Sequence, residues 1–191
     1  MSIIRLAAKA PRLRGPLSSN VRPHNPRMPI SIRLANANDA VDIAALARKA
    51  IEHGFPWSWH PSRVAEAIAD PNTNVVVARI AGALIGFGVM LYEDEAAHLV
   101  LFAVDAPDRR RGLGSQLLCW LEAVAFAAGI NQFRVEARAD NTPALAFYRK
   151  HGYTEQVEVL GMYYGALDGV CLAKRLQSGD SPLSGSSPSA A

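Results

Sequence analysis

The stretch from Val104 to Leu118, Val-Asp-Ala-Pro-Asp-Arg-Arg-Arg-Gly-Leu-Gly-Ser-Gln-Leu-Leu, places the tightest limit on what this chain can fold into. The apolar run Ala97 to Val104 before it reads as a strand. After it, Leu113, Leu117, Leu121, Val124 and Ala128 recur at helical spacing, and Gly129 stands where a helix would stop. Three arginines and two glycines therefore occupy a strand-to-helix turn. Glycine lets the backbone approach a ligand, and the start of a helix presents N–H groups and a partial positive charge. A turn of this kind is an anion site.

Three phosphate-binding loops compete for it. A Walker loop requires G-x-x-x-x-G-K-[ST], and no such string is present. A dinucleotide fingerprint requires G-x-G-x-x-G, but Leu117 stands at the third glycine. Glu136 lies at about the distance of a ribose-binding acid, yet that motif ordinarily follows the first strand of its domain. The third loop, R-x-x-G-x-G, cradles the pyrophosphate of coenzyme A, and Arg109-Arg110-Arg111-Gly112-Leu113-Gly114 resembles it position for position. An arginine-rich solvated turn is the alternative that this loop alone leaves open.

Half of the 191 residues are hydrophobic, enough for one α/β-sized domain with ends to spare. Residues 1–38 carry seven of the twenty basic residues and no acid, leaving thirteen basic against seventeen acidic groups beyond them. The formal charge of +3 thus belongs to the leader, and nucleic-acid binding does not follow from it. No apolar run approaches the roughly 18 residues of a membrane span. Cys119 and Cys171 sit in apolar contexts and read as buried thiols of a reducing, cytoplasmic compartment. His53 and His60 have no partner at metal-ligand spacing, so no metal is expected.

Five prolines among arginines and serines make residues 1–29 a disordered leader. A transit peptide and a true start at Met28 are the other readings of the same residues. Residues 177–191 read as a flexible tail, which leaves 30–176 as the folded domain. Within it, Ile30 to Leu34 alternates as a strand, and a helix opens at Asp39. An aromatic loop, Glu52 to Pro61, leads to a short second helix. Val75 to Ile80 and Leu84 to Tyr92 form a strand pair, Glu93-Asp94-Glu95 a solvated turn, and Gln132 to Arg138 a further strand. Thr142 and Pro143 suit a helix start and Gly152 its end. Strands over Glu155–Tyr164 and Gly169–Lys174 close the chain.

The string Asn141-Thr-Pro-Ala-Leu-Ala-Phe-Tyr148-Arg-Lys-His-Gly-Tyr153 lies about thirty residues beyond the glycine turn. It resembles the second signature of the GNAT N-acetyltransferase superfamily, N-x-x-A-x-x-F-Y-x-x-x-G-Y. Within that superfamily the chain most resembles the RimI-type ribosomal-protein alanine N-acetyltransferases. The resemblance rests on Phe55-Pro-Trp57-Ser58, on the strand Val135 to Asn141 with Glu136 twelve residues before Tyr148, and on Tyr163-Tyr164 followed by Asp168 to Leu172. Leu160-Gly161-Met162 departs from it, since basic residues usually precede the tyrosine pair.

The resemblance implies an α+β fold, a mixed sheet of about seven strands flanked by about four helices. It implies acetyl-CoA as co-substrate, held by Phe102, Ala103, Val104, Arg109, Arg110, Arg111, Gly112, Leu113, Gly114, Ser115, Asn141 and Tyr148. The acceptor is then a protein N-terminus or a small amine, with neither nucleic acid nor membrane as partner. Amine acetylation needs a neutral nucleophile. A peptide α-amine, with a reference pKa of ~8, is partly neutral at cellular pH, whereas a lysine at ~10.4 is mostly charged. Glu136 is the candidate base, backbone N–H groups near Phe102 to Val104 the oxyanion donors, and Tyr148 the donor to the departing thiolate. Tyr148 either donates a strong hydrogen bond or works with a lowered pKa. Phe55, Trp57, Tyr163 and Tyr164 are expected on opposite sides of an acceptor groove, with Phe55 and Trp57 limiting the first side chain to a small one. The plainer alternatives are that Tyr148 only packs its helix, that Glu136 pairs with Arg134 or Arg138, and that the domain binds the coenzyme without catalysis.

Overall fold

The computed structural model describes residues 29–93 and 96–177. Residues 1–28 of the expected leader, 178–191 of the expected tail, and Asp94 and Glu95 of the acidic turn lie outside the described residues. The order is β1 (Ser31–Leu34), α1 (Ala40–Ala50), α2 (Pro61–Ala69), β2 (Thr73–Ile80), β3 (Ala83–Tyr92), β4 (Ala97–Val104), α3 (Leu113–Ala127), β5 (Gln132–Arg138), α4 (Thr142–Lys150), β6 (Thr154–Tyr163) and β7 (Leu167–Arg175). Single 3₁₀ turns at Ala37–Asp39 and Ala106–Asp108 precede α1 and the anion turn.

All seven strands form one sheet, in the order β1-β2-β3-β4-β5-β7-β6. Every neighbouring pair is antiparallel except β4 and β5. That parallel pair is short: Ala97, His98 and Leu99 match Phe133, Arg134 and Val135, and the pairing stops there. On its other flank β4 carries an extra residue at the same level. Leu101 pairs with Val89 and Leu99 with Met90, so Val100 has no partner of its own. A bulge bends its strand and raises the local twist. Here it coincides with the place where β4 turns away from β5.

The two sheet faces are built differently. A Cβ on Gly88 would lie 2.7 Å from Leu121 and 3.0 Å from the Phe102 ring, so the glycine lets α3 settle directly on the sheet. Leu113, Leu117, Leu118, Leu121 and Ala125 form the buried stripe of that helix. The opposite face, where Val89 and Leu91 alternate with Gly88 and Met90, carries α1 and α2.

Two expectations change. Asn141 rather than Thr142 caps α4, its side-chain oxygen accepting from the Ala144 N–H at 3.3 Å. Asn serves this place at least as well as Thr, which moves one step into the helix. Cys119 and Cys171 are half-buried instead of buried, although burial still pushes both thiols up. The reason is periodic: Leu117, Leu118 and Leu121 take the inner stripe of α3, and Val170 and Leu172 take the inner face of β7.

Asp39 joins β1, β2 and α1. Its buried carboxylate accepts from Arg33 at 2.7 and 3.0 Å, from Arg79 at 2.8 and 3.0 Å and from the Asn36 N–H at 2.8 Å. Burial acts to raise its pKa, but these donors outweigh burial and hold it down at about 2. A lowered carboxyl pKa contributes stability above the unfolded value of ~3.9, and the contribution is lost as pH falls through the folded one. The shift corresponds to about 2 kcal/mol. Asp39→Asn should therefore lower the unfolding free energy by about 2–4 kcal/mol at pH 7, because it also strands two guanidinium groups. The gap between variant and wild type should close as pH is taken from about 4 towards 2, read by urea denaturation at each pH.

Candidate active site

Gly112 is the N-cap of α3 and has φ +81°, in the left-handed region where glycine costs nothing. Arg110 takes a similar conformation, φ +66°, at the strain of a side-chain-bearing residue. Together they turn the chain from β4 into the helix start. Arg109 braces the turn from inside: its Nε–H donates to the Val104 carbonyl at 2.9 Å, and burial lowers its pKa. Arg110 and Arg111 are exposed at the mouth of the turn, Arg111 lying 3.5 Å from Asp108. Two outward guanidinium groups, a helix N-terminus and a glycine that leaves the backbone accessible fit a phosphate-bearing ligand.

The other residues expected to hold the coenzyme have additional tasks. Leu113 is a core residue. Gly114 is needed for packing: a Cβ there would lie 3.3 Å from the Phe147 ring, and Phe147 stacks on Phe102 with centroids 5.9 Å apart. Ser115 meets His151 Nε2 at 2.9 Å, and Asn141 is buried as the cap of α4. Phe102, Ala103 and Val104 belong to the part of β4 beyond Leu99, where among the described residues no strand pairs with its β5 side. Backbone groups on that flank are available to a ligand lying in the wedge between β4 and β5.

The mouth of the wedge is lined by ionisable groups. Glu136 is level with the first unpaired position of β5, and its side chain points away from Phe133, Val135 and Ala137, which are buried. Burial raises its pKa. It pairs with neither neighbouring arginine: Arg138 bonds Asp140, and Arg134 lies 3.8 Å from Glu93. Its one ion-pair neighbour among the described residues is His98 on β4, whose Nε2 is 4.0 Å from Oε1; the Cys171 thiol stands opposite it on β7. That nitrogen is buried and has no hydrogen-bond partner among the described residues. Burial lowers the pKa of His98, with Glu93 acting upward and Arg134 downward, so the ring is held neutral. The sequence reading passed over His98, which lies inside the apolar run Ala97 to Val104. A lone polar residue in a strand otherwise buried along its length was the available signal.

Tyr148, from α4, is wholly buried against Phe147 and Tyr153, and its hydroxyl has no hydrogen-bond partner among the described residues. Burial, with the neighbouring Tyr163, raises its pKa far above the ordinary phenol value. Burial thus works against the lowered pKa and favours the other expected mode, a protonated hydroxyl that donates. A buried unsatisfied hydroxyl costs about 1–3 kcal/mol.

Phe55 and Tyr164, distant in sequence, are brought into direct contact, their rings stacked at 5.4 Å and 13°. The sequence leads to the expectation of two opposite walls; the two rings touch across that space. The Arg138 guanidinium lies 5.6 Å from the Phe55 ring. Tyr163 is wholly buried next to Tyr148, whereas Tyr164 is exposed. Trp57 is turned outward, 41% exposed, with its ring against His60 and its Nε1–H donating to the Trp59 carbonyl. It bounds no cleft. The loop is held from beneath by buried Glu52, which accepts from the N–H and hydroxyl of Ser58 and from the Trp59 N–H.

Among the described residues, no cluster of three or more His, Cys, Asp or Glu side chains is placed to hold a metal. No described helix is long and apolar enough to cross a membrane. A mixed sheet parted between its two parallel strands, above an arginine–glycine helix entry, is the fold of the acyl-CoA N-acyltransferases. The chain belongs to the acetyltransferase (GNAT) family, whose profile matches residues 44–153. It is 31% identical over 142 residues to the mycothiol acetyltransferase of Clavibacter sepedonicus, which covers 68% of this chain but only 45% of that protein. It thus spans less than half the length of these relatives. It is 30% identical over 159 residues to N-alpha-acetyltransferase RimI of Mycobacterium tuberculosis, covering 80% of this chain and 95% of that one. The crystal structure of the ribosomal-protein-S18-alanine N-acetyltransferase from Escherichia coli superposes with a TM-score of 0.68 at 25% identity, covering 76% of this chain and 93% of that one.

A charge test isolates the glycine turn. Around Gly112 a Cβ would meet only Gln116 Nε2, at 3.9 Å, and aspartate tolerates the left-handed region better than most residues. Gly112→Asp should keep the melting temperature within a few degrees while lowering affinity for coenzyme A at least about tenfold, measured by calorimetry.

Proposed function

We propose that the chain is an acetyl-CoA-dependent N-acetyltransferase whose acceptor is the α-amino group at a protein N-terminus. The observation that carries this reading is a carboxylate and a neutral imidazole side by side at the parting of β4 and β5. The Glu136 carboxylate and the neutral His98 Nε2 stand 4.0 Å apart, and neither is committed to another described group. An arriving ammonium finds a carboxylate to take its proton and a neutral nitrogen to orient it. The similarity to RimI over nearly that protein's full length supports a protein N-terminus as acceptor. A cytoplasmic setting belongs to the same proposal.

Acetyl-CoA supplies an activated acetyl thioester. Arg110, Arg111 and the N–H groups at the start of α3 hold its phosphates. N–H groups on the open flank of β4, from Phe102 to Val104, donate to the negative charge that develops on the carbonyl oxygen. Glu136, its pKa raised by burial, takes the amine proton and becomes a better base for doing so near neutrality. The Tyr148 hydroxyl, without a partner of its own, donates to the sulfur as charge collects there. A thiolate, near ~8.5, needs a hydrogen bond more than a proton from a phenol at ~10 or above.

A small-molecule amine is the second reading, favoured by the identity to mycothiol acetyltransferases. Comparing kcat/KM for a short peptide with that for amino-sugar and polyamine amines separates the two. Higher values for the small amines would overturn the peptide acceptor.

Two substitutions test the assigned chemistry. Tyr148→Phe removes an unsatisfied buried hydroxyl, so stability should hold or rise by up to about 1 kcal/mol. Its kcat should nevertheless fall at least about tenfold with coenzyme affinity unchanged. A merely packing tyrosine would show the first effect without the second. In the wild type, activity should be lost as pH falls through the raised Glu136 pKa, because the base becomes protonated. Glu136→Gln should lack that acid limb, and its kcat/KM should climb with pH towards the amine's own pKa of ~8.

A further inference from the structure

The helix start expected to hold the coenzyme phosphates is joined to α4 through a polar pair. The first helical hydrogen bond of α3 runs from the Gln116 N–H to the Gly112 carbonyl at 3.1 Å, so the N–H groups of Leu113, Gly114 and Ser115 are left to a ligand. Ser115, the third residue of the helix, carries a hydroxyl next to them. Its oxygen lies 2.9 Å from Nε2 of His151, the half-buried residue that ends α4. The ring is fixed at its other nitrogen as well. The His151 N–H turns to the Tyr148 carbonyl, one short of its helical partner, and Nδ1 stands 2.7 Å from the Phe147 carbonyl left over. The ring rests against that of Phe147, with centroids 4.3 Å apart.

These contacts decide where the protons go. A carbonyl oxygen only accepts, so Nδ1 carries a hydrogen whatever the charge of the ring. In the neutral ring Nε2 is then bare and accepts the Ser115 hydroxyl hydrogen, which is drawn towards α4 and withheld from the anion turn. In the charged ring the Nε2–H donates to the Ser115 oxygen instead, and the hydroxyl hydrogen is free to reach a phosphate. The end of a helix also favours a cation at this place. Few other charges face the ring. On α4, Arg149 is paired with Glu155 and Lys150 is exposed. On α3, Cys119 lies one turn past Ser115, its thiol pushed up by burial and so uncharged. Arg110 and Arg111 of the glycine turn are exposed, and Phe147 and Phe102 on the inner side carry no charge.

We propose that His151 is a positioning residue of the coenzyme site: its charged form turns the Ser115 hydroxyl towards the pyrophosphate, and its neutral form withdraws it. The inference rests on the coenzyme phosphates lying at the start of α3, as proposed above. A bound pyrophosphate then favours the charged ring, and by reciprocity coenzyme affinity falls as pH rises through the titration of His151.

The test uses the full chain and dephospho-coenzyme A, whose pyrophosphate keeps one charge state near neutrality. Calorimetry gives its Kd at about pH 5 and about pH 8, the range over which imidazole titrates. Each variant is compared with the wild type at the same pH, which cancels groups common to both, Glu136 among them. Ser115→Ala should bind about fivefold more weakly than the wild type at the lower pH, the worth of one hydrogen bond, and equally at the higher. His151→Phe keeps a ring against Phe147 and frees the hydroxyl. It should bind at least as tightly as the wild type at the higher pH and more weakly at the lower. A Ser115→Ala ratio that does not change with pH overturns the switch, and decides the matter alone if His151→Phe fails to fold. A His151→Phe variant with the wild-type pH dependence overturns His151 as its origin. A wild type that does not bind the probe, or a Gly112→Asp variant that binds it equally well, instead overturns the reading on which the inference rests.

Discussion

Two parallel strands that pair for three residues and then separate are the constraint on which the rest depends. A β-strand left without a neighbour exposes a row of N–H and C=O groups, ordinarily a liability. Here the row is created on purpose by the bulge at Val100 and lies inside the molecule. Everything at the proposed centre is placed relative to it. β4 delivers its backbone donors and the turn of arginines at its end; β5 delivers Glu136 at the first open level; His98 sits one level before the last pair, Leu99 with Val135. The glycine turn at Gly112 and the close packing of α3 over Gly88 then fix where a ligand's charged end can lie.

The polar groups around the parting are unusually poorly satisfied for buried atoms. His98 Nε2 and the Tyr148 hydroxyl both lack partners among the described residues, and Glu136 has only a distant one. Elsewhere the same fold satisfies its buried charges thoroughly. Asp39 has five donors, Glu52 ties an entire loop, and Glu122 accepts from Tyr153 at 2.9 Å and Lys174 at 2.7 Å. The contrast separates carboxylates that stabilise from groups held ready for a partner that comes and goes.

Strands and helices were legible in the sequence to within one or two residues because their periods are clean. The run Ala97 to Val104 and the repeat from Leu113 have the same bounds in the structure, or nearly so. The anion turn and the tyrosine string were legible as local patterns. What escaped were features set by packing between distant segments. Gly114 owes its identity partly to Phe147, and nothing near it in sequence says so. The outward turn of Trp57 depends on Trp59 and His60. His98 gains meaning only from Glu136, thirty-eight residues away, through a parallel register that one strand cannot announce. The cap of α4 fell on Asn141 because two good capping residues stand side by side.

The three-residue contact between β4 and β5 also divides the sheet mechanically. On one side lie β1 to β4, joined by long antiparallel ladders; on the other lie β5, β7 and β6, joined in the same way. The ladder between them, three residue pairs, is the shortest in the sheet, and it is reinforced over the top by Phe147 lying against Gly114 and Phe102. A narrow joint between two stiff plates behaves as a hinge. Small rotations about it change the width of the wedge without breaking a backbone hydrogen bond on either side. The stacked rings of Phe55 and Tyr164 tie the two plates together a second time, at a point remote from the ladder in sequence.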